Sequence, residues 1–555
     1  MKKLILPLII FNFSLCSAQS WDWGELVKNT DSIAGGEGWG LARDKSSNLY
    51  FTGEFHFNLI AGNDTLTTVN YGSATNTYLI KYDSNGNALW GRQSVCSSPY
   101  YPFVEGTGVV VDKAGNVLMT GDFHDSTYFG SNLISTNSNV NGVFITKYDQ
   151  NGNVLWVRQS GGVYHQGGFA ESIATDGNDN IYITGSYFDI IAFGPYILNG
   201  SGGFIAKYDS AGNVQWAKTI GKSGSTIPYA ITADASGNTY LTGTFSDTII
   251  AGRDTVVSSQ AGFIAKYNTA GDGIWVVKGA HRGYSVALDN AGNVYSTGYY
   301  FGSEVVGTDT LPGNNLWNNL YFDKYDTAGN FEWVKYAMNK NRGDCMGFTI
   351  CCDSKCHIYL YAGVITEGDT LDVSFDSLHF VNNNTNSPII LVKYDSSGKA
   401  LCGSLATDGG DDQSGLVAEP SGNGVYLGAD FVEMVIFGPD TLKELPGAGE
   451  VQGIAKWKPC NADITNVKSI NNTTPELVGY PNPSSGIFTF QSSVVRGKCS
   501  VEIYNVLGEK VYSQFTIHNS PFTINLSDKA NGIYFYRVTK EDGSLIGEGK
   551  IIVQH

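Results

Sequence analysis

Ten residues at 147–156, KYDQNGNVLW, keep returning along this chain. They recur as KYDSNGNALW from Lys81, KYDSAGNVQW from Lys207, KYNTAGDGIW from Lys266 and KYDTAGNFEW from Lys324. Two eroded copies follow, KYDSSGKALC from Lys393 and IAKWKPC around Lys456, so seven copies stand 58 to 69 residues apart. A unit of this period constrains the fold before any single residue does, because each copy must bury its apolar face against the next.

Each copy reads as a hairpin. An apolar run enters (FITKYD, FIAKYD, LVKYD), a turn with Asn-Gly or Ala-Gly follows, and a second run leaves through Trp. Residues tolerant of positive φ suit such turns, and alternation near a period of two predicts strands. Upstream lies a second unit: DKSSNLYFTG at Asp44, DKAGNVLMTG at Asp112, DGNDNIYITG at Asp176, DASGNTYLTG at Asp234, DNAGNVYSTG at Asp289, DSKCHIYLYAG at Asp353 and EPSGNGVYLG at Glu419. Short runs of small and β-branched residues precede the acids, as in Val109-Val110-Val111 and Ser172-Ile173-Ala174, and suit an inner strand beside a crowded axis. Each repeat thus has four strands: A before the acid, B through NxYxTG, C through KYD and D through Trp. A variable insert separates B from C.

Seven units of four antiparallel strands predict an all-β fold, a seven-bladed β-propeller over residues 19–462. The ends support the count. The seventh copy stops at Cys460 without a D strand, while the N-terminus has a Trp strand, Ser20-Trp21-Asp22-Trp23-Gly24, without a KYD strand before it. Trp23 precedes Asp44 by 21 residues, as Trp90 precedes Asp112 by 22 and Trp156 precedes Asp176 by 20. The N-terminal strand is therefore expected to complete the last blade, removing two open edges. The DxxGNxYxTG…FxxKYDxxGNxxW pattern resembles a bacterial family of seven-bladed propeller repeats in secreted and surface proteins. That resemblance speaks for the fold and not for an activity, since one fold carries many functions.

Residues 1–18, MKKLILPLIIFNFSLCSA, have a charged start, an apolar centre from Leu4 to Leu15 and a small-residue exit, and read as a secretory signal peptide. Cys16 follows Leu15, whereas a lipid-modified Cys follows a small residue. No other apolar run is long enough to span a bilayer. The net charge of −17 argues against nucleic acid and anionic membranes as partners. Cys345, Cys351, Cys352 and Cys356 cluster beside His357. They read as a metal site or as disulfides, which export permits, and the C-x5-CC-x3-CH spacing departs from paired C-x2-C zinc patterns. Their pairing is left open. Cys402 stands where the sixth repeat should have its Trp.

The loop Asp176-Gly177-Asn178-Asp179-Asn180 begins like a calcium loop but lacks the Gly at position six and the Glu at twelve. A turn held by side-chain bonds to the backbone accounts for it and for its counterparts. Asp-Thr-apolar triplets at Asp64, Asp254, Asp309, Asp369 and Asp440 are similar to a Bacteroidetes O-glycosylation motif, although inherited turn chemistry explains them too.

Residues 463–475 are polar and read as a linker; residues 476–555 alternate short strands with Gly turns and predict a small Ig-like β-sandwich. The opening Tyr480-Pro481-Asn482-Pro483 with Gly486, the IYNVLG run ending at Gly508, Gly532 and Tyr534 in NGIYFYRV, and Lys550 before the apolar end closely resemble the type A sorting domain of the type IX secretion system. The resemblance implies a Bacteroidetes-type bacterium and recognition by the type IX machinery. It further implies removal of this domain after export, leaving the protein extracellular or on the outer cell surface.

No nucleophile elbow, zinc-protease helix, P-loop or dinucleotide fingerprint occurs. The expected function is a binding or adhesion module for an extracellular glycan or peptide. The alternatives are a hydrolase or lyase acting on polysaccharide or peptide, and a structural surface component. One asymmetry in the repeats could be a site. After the Gly of strand B most repeats carry Ser186, Thr244 or Tyr299, but three carry Glu54, Asp122 and Asp430, and two of these add His56 and His124 on the same strand face. Ring closure would make repeats seven, one and two consecutive. The acids are then expected within about 10 Å of one another, where they could grip a sugar or a divalent cation; no other cofactor is implied. Otherwise they are solvated strand ends, and placement on separate faces or burial between blades would rule such a site out.

Overall fold

The computed structural model describes residues 20–29, 36–56, 58–68, 75–97, 103–136, 140–162, 167–221, 226–313, 316–365, 371–382, 388–409, 415–437, 440–443, 450–460, 478–491, 496–505, 510–519, 521–540 and 545–555. The leader at 1–18, the linker at 463–475, Asp369 with Thr370, and Gly508 lie outside them. The chain divides into two compact units, 1–463 and 464–555.

The described residues of the first unit form strands and turns without a helix. Repeat two shows the plan: Phe103–Val111, Val117–His124, Asn141–Tyr148 and Val154–Gln159 pair in that order as an antiparallel A-B-C-D sheet. The same order holds in repeats one and three to six. In repeat seven, Gly415–Ala418, Val425–Phe437 and Glu450–Lys458 supply A, B and C. The fourth strand is Ser20–Leu26, paired antiparallel with strand C from Ser20 opposite Lys458 to Leu26 opposite Gly453. Main-chain pairing thus ties the N-terminus to the last repeat.

Strands B and C are buried on both faces because the apolar layers lie between successive sheets. Leu118 and Ile145 of repeat two pack with Ile183 and Phe204 of repeat three. Ala174 and Ile205 of repeat three pack with Leu241 and Phe263 of repeat four. The layers continue to Phe51, Tyr78 and Ile80 of repeat one packed with Tyr426 and Ile454 of repeat seven. The A strands touch in the same order, and Gly38–Arg43 of repeat one touches both Phe103–Val111 and Gly415–Ala418.

The turn acids are fully used. Asp176 accepts the N–H groups of Asn178 and Asn180 at 2.7 and 3.0 Å, the Asn180 amide at 2.7 Å and the Tyr182 hydroxyl at 3.0 Å. Its lone pairs serve the turn, as they would have to serve calcium. The recurring Lys of strand C reaches the next repeat. Lys81 Nζ donates to the carbonyl of Gln150 at 3.0 Å while lying 5.2 Å from the Tyr50 ring. Lys147, Lys207, Lys266 and Lys324 repeat this donation.

The recurring Trp of strand D also reaches forward, onto the C–D turn of the next repeat. A Cβ on Gly271 would lie 2.8 Å from the Trp216 ring, and one on Gly329 2.7 Å from Trp275. Gly86 meets Trp23 in the same way. These glycines also hold φ between 75° and 85°, so the turn excludes other residues on two grounds. Repeat seven has no C–D turn to receive a Trp. There Cys402, at the Trp position of repeat six, forms a disulfide with Cys460. Cys345, Cys351, Cys352 and Cys356 are free thiols.

In the second unit, Val478–Tyr480, Ile487–Gln491 and Phe522–Asn525 form one sheet, and Lys510–Asn519, Arg496–Asn505, Gly532–Lys540 and Leu545–Val553 form another. Phe488, Phe490 and Ile524 of the first share one core with Val501, Ile503, Tyr536 and Ile551 of the second. The Tyr480-Pro481-Asn482-Pro483 turn is pinned to the last strand: Asn482 Nδ2 donates to the carbonyl of Lys550, and Asn482 Oδ1 accepts the N–H of Ile552, both at 2.8 Å. Gly486 (φ 108°) lies against the backbone of Ser527, and Tyr534 donates its hydroxyl to the carbonyl of Ala530.

Candidate functional site between the inner strands

Each of the first six A strands carries a bulge, one residue more than its partner needs. The extra residues are Trp39, Thr107, Glu171, Tyr229, Tyr284 and Phe348. A bulge re-aims its side chain, and here all six bulge residues reach one cavity. With the small residue after each they line a cavity of about 250 Å³. Every repeat also contributes one aliphatic residue to the lining, Leu41, Val109, Ile173, Ile231, Val286, Ile350 and Leu416, each of which is buried in the core of its own sheet layer.

The cavity is chemically lopsided. On the side of repeats four to six stand Tyr229, Tyr284 and Phe348. Just outside, the Arg282 guanidinium lies 5.4, 6.0 and 5.6 Å from the rings of Tyr229, Tyr284 and Tyr299. The opposite side is acidic. Burial pushes the Glu171 carboxyl up to about 7. Burial, then the charges of Asp122 and Glu54, hold Glu105 well above the carboxylate range, and Glu105 shares a hydrogen bond with Glu54. Burial and then the charge of Glu171 raise Asp122 as well.

The acids singled out in the sequence belong to this side, but they are not solvated strand ends. Glu54, Asp122 and Asp430 are 7, 2 and 3 % exposed. Asp430 Oδ1 accepts the N–H of Gly38 from the bulge of repeat one at 2.8 Å. Asp122 accepts the N–H of Ala170 from the bulge of repeat three. A bulge frees a backbone N–H from the ladder, and the preceding repeat supplies the acceptor. At the next interval the matching residues are Ser186 and Pro228, and proline has no N–H to satisfy. Glu54 and Asp122 feel each other's charge, and the buried Tyr78 feels both Asp430 and Glu54. The three acids thus share one side of the inner-strand ends.

His56 joins them, its Nε2 3.4 Å from Glu54 Oε1 and its Nδ1 3.2 Å from Thr75 Oγ1. The hydrogen bond to Glu54 raises its pKa against the opposing effect of burial. His124 ends its strand opposite Asn141 and Phe103, and among the described residues it makes no ion pair with Asp122. No three His, Cys, Asp or Glu side chains among the described residues are grouped as metal ligands.

Residues 479–554 match the family described as "Secretion system C-terminal sorting domain". The C-terminal unit is the part of the chain that resembles a sorting domain. The chain is accordingly exported to the cell surface or extracellular space, and its sorting domain implies interaction with the type IX machinery. Over 226 residues the chain is 26% identical to an uncharacterized WD repeat-containing protein of Acanthamoeba polyphaga mimivirus. This covers 33% of the chain and 16% of that relative, so the match spans about one sixth of its length. Among solved structures, a Bacteroides caccae protein of unknown function aligns at 11% identity and TM-score 0.29, covering 57% of this chain and 93% of that one. PorZ, a surface component of the type IX secretion system of Porphyromonas gingivalis, aligns at 10% and TM-score 0.21, covering 93% and 81%. At such TM-scores neither alignment bears on function. No helix among the described residues is long and apolar enough to cross a membrane.

The sorting domain was carried by contiguous motifs. The cavity residues had a subtler signal: Trp39, Thr107, Glu171, Tyr229, Tyr284 and Phe348 each stand five positions before a turn acid and precede a small residue. Their variety amid regular neighbours marks the variable position of the repeat.

Proposed function

We propose that the exported unit is a seven-bladed β-propeller that binds an extracellular glycan or peptide in the cavity between its inner strands. One observation carries this reading: residues of all seven repeats, among them six bulge residues, line a single cavity. A concave site reached by every repeat, with placed polar groups and a perturbed titratable residue, is a common form of ligand site. Glu54, His56, Asp122, His124 and Asp430 stand outside its lining, and Asp430 and Asp122 accept the N–H groups of two of its bulges. No resident cofactor is required, and a divalent cation would have to come with the ligand.

A second reading, a hydrolase or lyase acting on polysaccharide or peptide, has one observation in its favour: Glu171, raised to about 7, could hold a proton for a leaving group. The test is to present the secreted protein to glycan and peptide libraries and score both capture and cleavage, with Phe348→Ala as the cavity variant. Capture lost in a folded Phe348→Ala protein supports binding. Cleavage that disappears in Glu171→Gln supports the enzyme. Inertness toward every ligand overturns both and leaves a structural surface role.

A further inference from the structure

Two residues before each bulge residue lies a second variable position of the inner strands. It holds Glu37, Glu105, Phe169, Ile227, Arg282 and Met346 in repeats one to six. The carbonyls of the first five each face the strand B glycine of their own repeat, so they share one register. Arg282 is the cation of this set. Two other arginines that lie over aromatic rings are spent on the scaffold. Arg92 and Arg158, each 5.1 Å from a Trp ring, donate to the carbonyls of Gly152 and Gly212 in the next repeat at 2.9 and 2.7 Å. Arg282 is half-buried over Tyr229, Tyr284 and Tyr299, with Tyr284 as a hydrogen-bonding neighbour. Among the described residues it forms no ion pair, and its Nε is buried without a partner. Ring faces favour the charge but do not accept its N–H donors in their plane, and a partly buried cation without a counter-ion is costly. Tyr229 and Tyr284 also line the cavity, so the guanidinium stands at the cavity's edge.

We propose that this edge of the cavity recognises a uronate sugar, with Arg282 gripping its carboxylate and Tyr229 and Tyr284 beside its ring. This rests on reading the cavity as a binding site and names the class of glycan it takes. A guanidinium presents a planar fork that matches a carboxylate with two parallel hydrogen bonds. Tyrosine offers an apolar face to the C–H face of a pyranose and a hydroxyl to its hydroxyls. An acidic peptide also carries carboxylates, but its extended side chains bring no ring for the two tyrosines to flank. The acids across the cavity are held above the ordinary carboxylate range by burial, which limits their repulsion of an anion.

The test is calorimetric titration of the full secreted chain with trigalacturonate, its methyl ester and a polyglutamate peptide, alongside the glycan and peptide libraries. Trigalacturonate is expected to bind, and the ester, which keeps the sugar and removes the charge, to bind about tenfold or more weakly. Arg282→Gln is expected to abolish that difference while the circular dichroism stays unchanged. Arg282→Lys, which keeps the charge and loses the fork, is expected to restore only part of it. The comparison of acid with ester needs no variant, so it decides even if both substitutions prevent folding. Binding of polyglutamate without trigalacturonate overturns the uronate and assigns Arg282 to an acidic peptide. Equal binding of acid and ester, or trigalacturonate binding indifferent to Arg282→Gln, overturns the carboxylate site while the binding function stands. Capture of neutral library ligands alone does the same, and failure of every probe and every library ligand overturns both.

Discussion

Six joints between neighbouring sheets and one seam do the same task by different means. At an ordinary joint the Trp of one D strand lies over the turn glycine of the next repeat, as Trp216 lies over Gly271 and Trp275 over Gly329. Between repeats six and seven that is impossible, because strand C of repeat seven ends at Lys458 and its D strand arrives from the N-terminus. A covalent Cys402–Cys460 bond stands there instead, and Trp23, carried by the incoming strand, lies over Gly86 of repeat one. Regular repetition thus depends on a hairpin turn. Where the chain ends interrupt the hairpin, side-chain packing is replaced by a cross-link and by long-range strand pairing.

Deleting residues 19–27 should give the largest effect. It removes the D strand of repeat seven, exposes the edge of Glu450–Lys458 and withdraws Trp23 from Gly86. Exposed edges invite misassembly, so cooperative thermal unfolding of the first unit is expected to disappear. A truncated protein melting at the original temperature would show that the seam is dispensable.

Next is the disulfide. Cys402 and Cys460 close a separation of 58 residues. Replacing both with Ser is expected to cost about 2–4 kcal/mol, the usual range for a native disulfide. Denaturant titration with and without reductant reads it: the native protein should lose stability on reduction and the double variant should not respond. An unresponsive native protein would mean that packing alone closes the seam.

A joint in the regular series should cost less. Trp216 is half-buried, donates its Nε1–H to the carbonyl of Thr269 at 3.1 Å and covers Gly271. Trp216→Ala is expected to cost about 1–3 kcal/mol, below the range for a fully buried Trp. If it matches the disulfide variant, joints and seam are equivalent in strength as well as in place.

Much of this contrast was legible beforehand. The period, the turns and the orphan strands at both ends follow from KYDxxGNxxW and from Trp21 to Trp23, because hairpin chemistry is local. The partner of Cys402 was not legible: spacing cannot choose among pairings, and what decides is that the strand paired beyond Glu450–Lys458 comes from the N-terminus. Nor was the burial of Glu54, Asp122 and Asp430. A strand end reads alike whether water or the next sheet covers it, and the acceptors answer bulge N–H groups that an alternating pattern does not reveal. The same bulges hid Glu171, Tyr229 and Phe348, because an inserted residue breaks the period by which strand faces are read.

The smallest effect belongs to a contact that joints and seam have in common. Lys266 lies 4.9 Å from the Tyr240 ring and donates to the carbonyl of Thr327 in the next repeat at 3.1 Å. At the seam Lys393 lies 5.7 Å from the Tyr359 ring and donates to the carbonyl of Cys460 at 3.3 Å. The lysine bond is therefore kept where the Trp contact is lost, since it needs only a carbonyl in the right place and not a turn. Burial lowers the Lys266 pKa, which marks a partly desolvated ammonium whose bond is stronger than one in open water but costs more to form. The net contribution of this exposed bond should be about 1 kcal/mol, the usual net worth of an intramolecular hydrogen bond. Lys266→Met and Lys393→Met keep the aliphatic stem and remove the charge, so both are expected to lower stability by this amount in denaturant titration. Equal losses would show that joint and seam differ only in the Trp contact and its covalent substitute. A neutral Lys393→Met beside a destabilising Lys266→Met would show that the disulfide has taken over the whole joint.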